Sequence, residues 1–212
     1  MLSRLIREPF NSISHGIGAT ASLLGLFLLL YLSTTPLQYF ASFLYGVSLL
    51  LLYTSSSLYH GLNISKRVQY WLKRFDHASI YCLIAGTTTP IALLSLGGTN
   101  GWVLFGLLWG AAVLGIIYSF STNSDSSLLR VTFYLVMGWM SLLFIAPLIS
   151  ALSAAELFWC VTGGVIYTSG AFIYAFDWPR LIPGTFESHE LWHLFVLAGS
   201  ISHFYSISVY TF

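Results

Sequence analysis

The chain has 212 residues, of which 57% are hydrophobic and only 7% are charged. Soluble globular domains carry about 25% charged residues, so this composition excludes a soluble protein and indicates an integral membrane protein. The formal net charge of +1 argues against a nucleic-acid partner. The two cysteines, Cys82 and Cys160, lie inside apolar runs, which favours packing roles over a disulfide framework.

Apolar segments long enough to cross a bilayer recur along the whole chain. A spanning helix needs about 20 apolar residues, and the unbroken runs favour helices over the alternating strands of a barrel. We therefore predict an all-α integral membrane protein, a single seven-transmembrane helix bundle over residues 1–212. The predicted spans are 12–32, 38–60, 76–96, 101–120, 131–150, 155–176 and 189–211.

Three local patterns refine these spans. The apolar run that follows Arg4 and Arg7 resembles a secretory signal. It is too long for one and no small-residue cleavage site follows it, so we expect a retained first span. Pro90 predicts a kink in span three, where the threonine hydroxyls before it can satisfy freed carbonyls. Gly106 and Gly110 form a GxxxG pattern in span four, which hints at close helix packing.

The basic residues predict how the bundle is oriented. With seven spans, all eight fall on one side: Arg4, Arg7, Lys66, Arg67, Lys73, Arg74, Arg130 and Arg180. Cytoplasmic loops are enriched in Lys and Arg, so we predict a cytoplasmic amino terminus and an external carboxyl terminus in the cell inner (plasma) membrane. Adding or removing a span would scatter the charges, so the pattern also supports the count of seven.

Four polar residues from distant parts of the chain are predicted to share one depth. His60 ends span two, Asp76 opens span three, and His189 and His193 occupy the first turns of span seven, all at the cytoplasmic edge. Residues at i and i+4 lie on one helix face, so the last two imidazoles can point at one position. Titratable groups are costly in a bilayer, and their placement there indicates function.

This set of side chains predicts a zinc site. His60, His189 and His193 supply three nitrogens, and Asp76 supplies an oxygen directly or through water, which completes the tetrahedral N/O set that Zn²⁺ favours. Three protein nitrogens with an exchangeable fourth position are typical of catalytic zinc.

Other interpretations of these residues remain open. An HxxxH pair can arise by chance among six histidines, and Asp76 can simply cap a helix amino terminus. Ser56, one turn before His60, either supports the site by hydrogen bonding or packs as an ordinary helix residue. The pair also spells HExxH, the zinc-protease signature with Glu190 as base, but Glu190 is expected near the headgroups and Asp76 already offers a carboxylate.

The remaining histidines have other predicted uses. We expect hydrogen-bonding support roles for His15 and His77. His203 follows His193 by ten residues, about 15 Å deeper, which is too far to bind the same ion and favours an interhelical hydrogen bond.

The spaced motifs resemble those of a known family. Residues 8–15, EPFNSISH, resemble the opening ExxNxx[ST]H pattern of the hemolysin III family, the bacterial branch of the progestin and adipoQ receptors. The other matching elements are the SxxxH of Ser56 to His60, Phe75-Asp76-His77 with Ala85-Gly86-Thr87, and the HxxxH of His189 to His193 continuing to His203-Phe204-Tyr205.

The resemblance implies a seven-helix protein with an intracellular-side zinc site built from His60, His189 and His193. Asp76 corresponds to the family aspartate that holds or activates the zinc-bound water, with Ser56 in support. The wider group is similar to alkaline ceramidases, which implies a membrane lipid as substrate or ligand and hydrolysis of a lipid amide. The bacterial branch also carries a haemolytic label and a link to membrane homeostasis. The chain lacks the long amino-terminal domain of adiponectin receptors, so ligand reception of that kind is not expected.

Two functions from different classes follow. The leading hypothesis is a zinc-dependent hydrolase of a membrane lipid, in which Asp76 orients or deprotonates the attacking water. The alternative is a non-enzymatic cytolytic or membrane-homeostasis effector or sensor in which zinc is structural. An ion or proton pathway is disfavoured, because only His203 lies deep in the predicted bundle.

Overall fold

Seven helical segments in the described residues are long and apolar enough to cross a membrane, which confirms the predicted fold class. The structure is a computed structural model and describes residues 6–121 and 127–212, so Arg4 of the predicted basic set lies outside it. The α-helices are α1 (Pro9–Leu32), α2 (Pro36–Gly61), α3 (Lys66–Pro90), α4 (Gly98–Ser121), α5 (Ser127–Gly138), α6 (Ile145–Ala151), α7 (Ala154–Phe176) and α8 (Ser188–Ser206).

Span three begins ten residues before its predicted start, whereas the other span ends agree with the prediction to within three residues. Charged residues fill its early turns: Lys66, Arg67, Lys73 and Arg74. Such residues lower the local hydropathy, so the apolar segment begins later than the helix does. Helix α3 and the π-helix Ile91–Leu96 together have 31 residues. That length is about 46 Å, more than the roughly 30 Å hydrocarbon core, so the charged turns extend beyond it.

The early start of α3 changes the position of Asp76. This residue lies inside the helix, ten residues after Lys66, and not at its amino terminus. The alternative that Asp76 serves as a helix cap is therefore wrong.

Three spans depart from regular α-helix, and one of them, span seven, simply ends in the π-helix Ile207–Thr211. We predicted a kink at Pro90 in span three. The structure has a change of helix type there: α3 ends at Pro90 and the π-helix Ile91–Leu96 follows. The hydroxyls of Thr88 and Thr89 donate to backbone carbonyls one turn earlier, at 3.1 and 2.8 Å. In span five, α5 and α6 are separated by the 3₁₀ segment Met140–Phe144, a break that we did not predict.

Pro147 is the sequence signal for the break in span five. It is the third residue of α6, and proline is accepted in the first turn of a helix because the N–H it lacks has no intrahelical partner there. A continuous helix through residues 139–147 would instead place the proline in a helix interior, where it is costly.

The helices enclose two apolar clusters. One is centred on Tyr45, Leu49 and Tyr53 of α2 and the other on Tyr81 of α3 and Leu104 of α4. Helix α3 lies between them, and 61% of the apolar 18-residue segment of this span is buried. In spans five and six only 17% of the corresponding segment is buried, so these two spans expose the largest share of their surface.

The predicted close packing at the GxxxG pattern is wrong. A Cβ atom added to Gly106 or Gly110 would meet nothing within 4 Å, because both glycines face outwards from the bundle. Tight contacts lie instead at other glycines, among them Gly86 of α3, where a Cβ atom would come within 2.6 Å of the Ser48 Cβ and would also clash with the Ser48 hydroxyl. The motif identified small residues without showing which face of the helix meets a neighbour.

Gly86→Ala is expected to lower the free energy of unfolding by about 1–3 kcal/mol, because the added methyl overpacks the α2–α3 contact. Gly110→Ala is the matched control and should leave stability unchanged or slightly raised, since alanine favours the helix and meets open space. Thermal unfolding of the purified variants in one detergent measures both effects. Equal midpoints for the two variants would contradict this packing.

Candidate metal centre

The carboxyl end of α2 and the amino end of α8 bring three histidines together. His60 is the penultimate residue of α2, and His189 and His193 lie in the first two turns of α8. A reciprocal capping box between Glu187 and Glu190 begins α8, so the helix is regular where its histidines need the i, i+4 spacing.

The ligand atoms of the three histidines converge. His60, His189 and His193 each offer a ring nitrogen, and these atoms all lie within 4.8 Å of one another. The Nε2 atoms of His189 and His193 are 3.3 Å apart. The His60 ring centroid lies 5.1 Å from that of His189 and 4.7 Å from that of His193. His60 and His193 are almost fully buried.

The geometry fits a zinc ion. Nitrogen ligands bind zinc at about 2.0–2.1 Å, and two such ligands in tetrahedral geometry are separated by about 3.3 Å. The Nε2 atoms of His189 and His193 have this separation. Burying several imidazole nitrogens side by side is costly unless a shared partner satisfies them, and a metal ion is such a partner. The donor set therefore suits a metal of the zinc type.

Glu8 fixes the orientation of His60. One carboxylate oxygen of Glu8 lies 2.5 Å from the Nδ1 atom of His60, which leaves Nε2 as the ligand atom. Burial raises the pKa of the Glu8 carboxyl, but the hydrogen bond and charge of His60 and the charge of Arg7 outweigh it and lower the pKa to about 2. An ionised carboxylate behind a histidine is the usual support of a metal ligand.

Sequence reasoning missed this role of Glu8, although the residue opens the ExxNxx[ST]H pattern. Its backbone N–H donates to the His60 carbonyl at 3.0 Å, so the segment before α1 lies along the end of α2. Asn11 donates to Glu8 at 3.3 Å and to Glu190 at 3.1 Å. The motif thus connects three helix ends, and Glu190 accepts structural hydrogen bonds from Asn11 and from the Glu187 backbone.

Asp76 and Ser56 lie beside the histidines. Both are buried, both line the cavity that contains the three histidines, and the Ser56 hydroxyl lies next to the Asp76 carboxylate. Within residues 6–121 and 127–212, the group whose ligand atoms converge contains the three histidines and not Asp76. The carboxylate is therefore a neighbour of the group.

The three other histidines have distinct surroundings. His15 packs its ring 3.9 Å from that of His193, and its two buried nitrogens lack a hydrogen-bond partner of good geometry among the described residues, so its hydrogen-bonding role stays a prediction. The Nδ1 atom of His77 lies 2.7 Å from Arg130 Nη1, as a support role requires. The ring of His203 stacks on that of Tyr167, with centroids 5.5 Å apart. Its buried Nδ1 atom has no hydrogen-bond partner among the described residues, which contradicts the predicted interhelical hydrogen bond.

A cavity of about 210 Å³ leads from the histidines into the bundle. Its walls are mostly apolar and come from α2, α3, α5, α6, α7 and α8, and it extends as far as Leu148, Leu152 and His203. Residues at the break in span five also line the cavity, among them Trp139, Ser141 and Leu142. Irregular backbone at membrane depth is tolerated where it borders a cavity. The space is elongated, with its concentrated polar groups at the histidine end.

Comparisons with known proteins agree with the motifs. Residues 3–204 match the family model described as Haemolysin-III related. The chain is 38% identical over 206 residues to the Hemolysin-3 homolog of Bacillus subtilis (strain 168), covering 96% of this chain and 93% of that protein. It is 35% identical over 213 residues to Hemolysin-3 of Bacillus cereus, covering 99% and 94%. Monocyte to macrophage differentiation factor of Homo sapiens is 27% identical over 207 residues, covering 95% and 83%.

These matches extend along almost the whole chain and include the segments that carry the histidines. They confirm the relationship predicted from the four spaced motifs. The chain belongs to the haemolysin III family.

Proposed function

We propose that this protein is a zinc-dependent hydrolase of a membrane lipid, with an amide bond as the target. The observation that carries the proposal is the convergence of three histidine nitrogens at the polar end of an elongated apolar cavity. A carboxylate lies beside them. A zinc-dependent hydrolase of lipids needs these three elements together: a site for the electrophilic ion, a proton acceptor and a space for an acyl chain.

His60, His189 and His193 would hold the ion, and Glu8 would keep the His60 ring in place. Zinc in such a site polarises a carbonyl group and lowers the pKa of water to about 7. Asp76, which lines the same cavity, would accept a proton from the attacking water and return it to the leaving amine. Ser56, next to Asp76, would hold that carboxylate in position.

The apolar part of the cavity would bind the acyl chain and keep water away from the reaction. Leu83 and Leu142 are among its lining residues, and both come from the middle of spans. Spans five and six have the least buried surfaces of the seven described spans, so this side of the bundle is the expected entrance for a lipid. A substrate arriving from the bilayer needs no aqueous path.

The orientation of the site follows from the basic residues. Arg7 donates to Tyr59 at the end of α2, and Arg130 bonds to His77, which places both arginines at the histidine end of the bundle. Positively charged ends face the cytoplasm. We therefore propose one seven-helix domain over residues 1–212 in the inner membrane, with the metal centre on the cytoplasmic side.

Purified protein is expected to contain one zinc ion per chain. His60→Ala and His193→Ala should each lose most of this metal, because each removes one of three nitrogen ligands. Elemental analysis after gel filtration measures the content. His77→Gln is the matched control, since His77 lies at the same end but bonds to Arg130. Metal-free parent protein, or alanine variants that bind zinc as well as the parent, would contradict the site.

Glu8→Gln is expected to weaken zinc binding by about 10–100-fold, because it removes the charged partner of His60. Competition against a chromophoric zinc chelator measures the affinity. Asp177→Asn is the control: Asp177 is an exposed carboxylate between α7 and α8 whose pKa is lowered by Ser188 and Arg180. Asparagine also suits its left-handed backbone. Equal affinity for the Glu8→Gln variant and the parent would contradict the proposed support of His60.

Asp76→Asn is expected to retain zinc and to lower lipid-amide hydrolysis by about 10²–10⁴-fold, because the amide side chain cannot accept the proton. Mass spectrometry of fatty acid released from a ceramide or an N-acylethanolamine in detergent measures turnover. The Asp177→Asn variant serves again as the control and should hydrolyse at the parent rate. Unchanged hydrolysis by the Asp76→Asn variant would remove this residue from the mechanism.

A second candidate is a non-enzymatic cytolytic or membrane-homeostasis effector in which the metal is structural. The name of the Bacillus cereus relative, Hemolysin-3, favours it. Erythrocyte lysis by membranes containing the parent or the Asp76→Asn variant separates the two candidates. Lysis that persists in the variant while zinc is retained supports the effector, whereas lysis that disappears with hydrolysis supports the enzyme.

A further inference from the structure

The deep end of the cavity contains a partly buried histidine that the proposed chemistry does not use. His203 lies in the last turn of α8 and lines the same cavity as His193. Its Nδ1 atom is buried and has no hydrogen-bond partner among the described residues. Burying an imidazole nitrogen without a partner costs about 1–3 kcal/mol, so such a group usually has a partner in the working molecule.

The surroundings of His203 hold its ring in one position. The ring stacks on Tyr167, with centroids 5.5 Å apart and an interplanar angle of 19°. Tyr167 and Tyr53 are both within 2.8 Å of the Ser200 hydroxyl, a network that fixes the stacking partner. Gly163 makes room for the imidazole, because a Cβ atom there would lie 2.6 Å from its Cδ2 and Nε2 atoms.

A metal ion is not the partner that this histidine suits. Within the described residues, the one group of His, Cys, Asp or Glu side chains able to hold an ion excludes His203. A neutral imidazole has one donor and one acceptor nitrogen, which matches an oxygen-bearing group such as a hydroxyl. The ligand for His203 is therefore expected to be a polar group carried on an otherwise apolar molecule.

We infer that His203 recognises an oxygenated position on the acyl chain of the lipid that occupies the cavity. His203 follows His193 by ten residues, which places the two histidines about 15 Å apart along α8. The preferred ligand class is a lipid with a polar head at the metal centre and a hydroxyl about 15 Å down its chain. This inference rests on the proposed lipid-binding function and specifies its ligand.

Two isomeric fatty acids test the inference. In 12-hydroxystearic acid the hydroxyl carbon is separated from the carboxyl carbon by a run of C–C bonds that spans about 14 Å when extended. The isomer 2-hydroxystearic acid has the same composition with its hydroxyl beside the carboxylate. Zinc-loaded full-length protein in detergent is titrated with each acid, and binding is followed by tryptophan fluorescence, because Trp139 and Trp192 line the cavity.

The parent protein is expected to bind 12-hydroxystearic acid about tenfold more tightly than its isomer, the effect of one buried hydrogen bond. His203→Phe retains an aromatic ring for stacking on Tyr167 but removes both nitrogens, and it should abolish the preference. His203→Leu is a second variant without the nitrogens, so the result does not depend on one substitution folding. Ser202→Ala is the matched control, since Ser202 is buried and bonds to the Trp159 carbonyl outside the cavity.

The possible results separate this inference from the proposed function. Preference for 12-hydroxystearic acid in the parent and the Ser202→Ala variant, and its loss in both His203 variants, supports a polar subsite. Equal binding of the two isomers by the parent, or a preference that persists without His203, overturns the subsite and leaves the lipid proposal standing. Binding of neither acid overturns the lipid proposal together with it.

Discussion

The contact between Glu8 and His60 connects the fold of this protein to its candidate metal centre. Its oxygen and nitrogen atoms are 2.5 Å apart, although the residues are separated by 52 positions in the chain. The contact holds the segment before α1 against the end of α2 and leaves the second ring nitrogen of His60 facing α8. Through Asn11 the same carboxylate is connected to Glu190 in the first turn of α8. One charged group therefore aligns the helix ends that supply all three imidazoles.

Two irregular parts of the bundle line the cavity and lie away from the metal centre. The helices that present the histidines are regular at those positions, as the i, i+4 pair requires. The break in span five and the π-helix after Pro90 lie farther from the histidines, and Trp139 and Ile91 from these regions line the cavity. Rigid elements thus hold the groups that need accurate geometry, while altered helical geometry shapes the apolar space.

The sequence predicted the seven spans and the gathering of the histidines because both follow from periodicity and from the alternation of helix direction. It placed the start of α3 too late, because hydropathy reports the end of an apolar segment and not the end of a helix. It did not predict the Glu8 contact, which depends on how a short segment crosses the end of another helix. It also missed the break in span five, because hydropathy does not distinguish the 3₁₀ hydrogen bonds of Met140–Phe144 from those of an α-helix.

The protruding start of α3 also sets the depth of the candidate metal centre in the membrane. Its charged turns need water or headgroups around them, so the excess length of the helix belongs at that end. Asp76 lies about 15 Å from the start of α3, close to where the hydrocarbon begins. In a bilayer, the linkage between the polar head and the acyl chain of a lipid lies at this same boundary. In the proposed hydrolase, a lipid would therefore diffuse sideways into the bundle with its scissile bond already at the level of the histidines, and the released acyl chain would return to the membrane without crossing water.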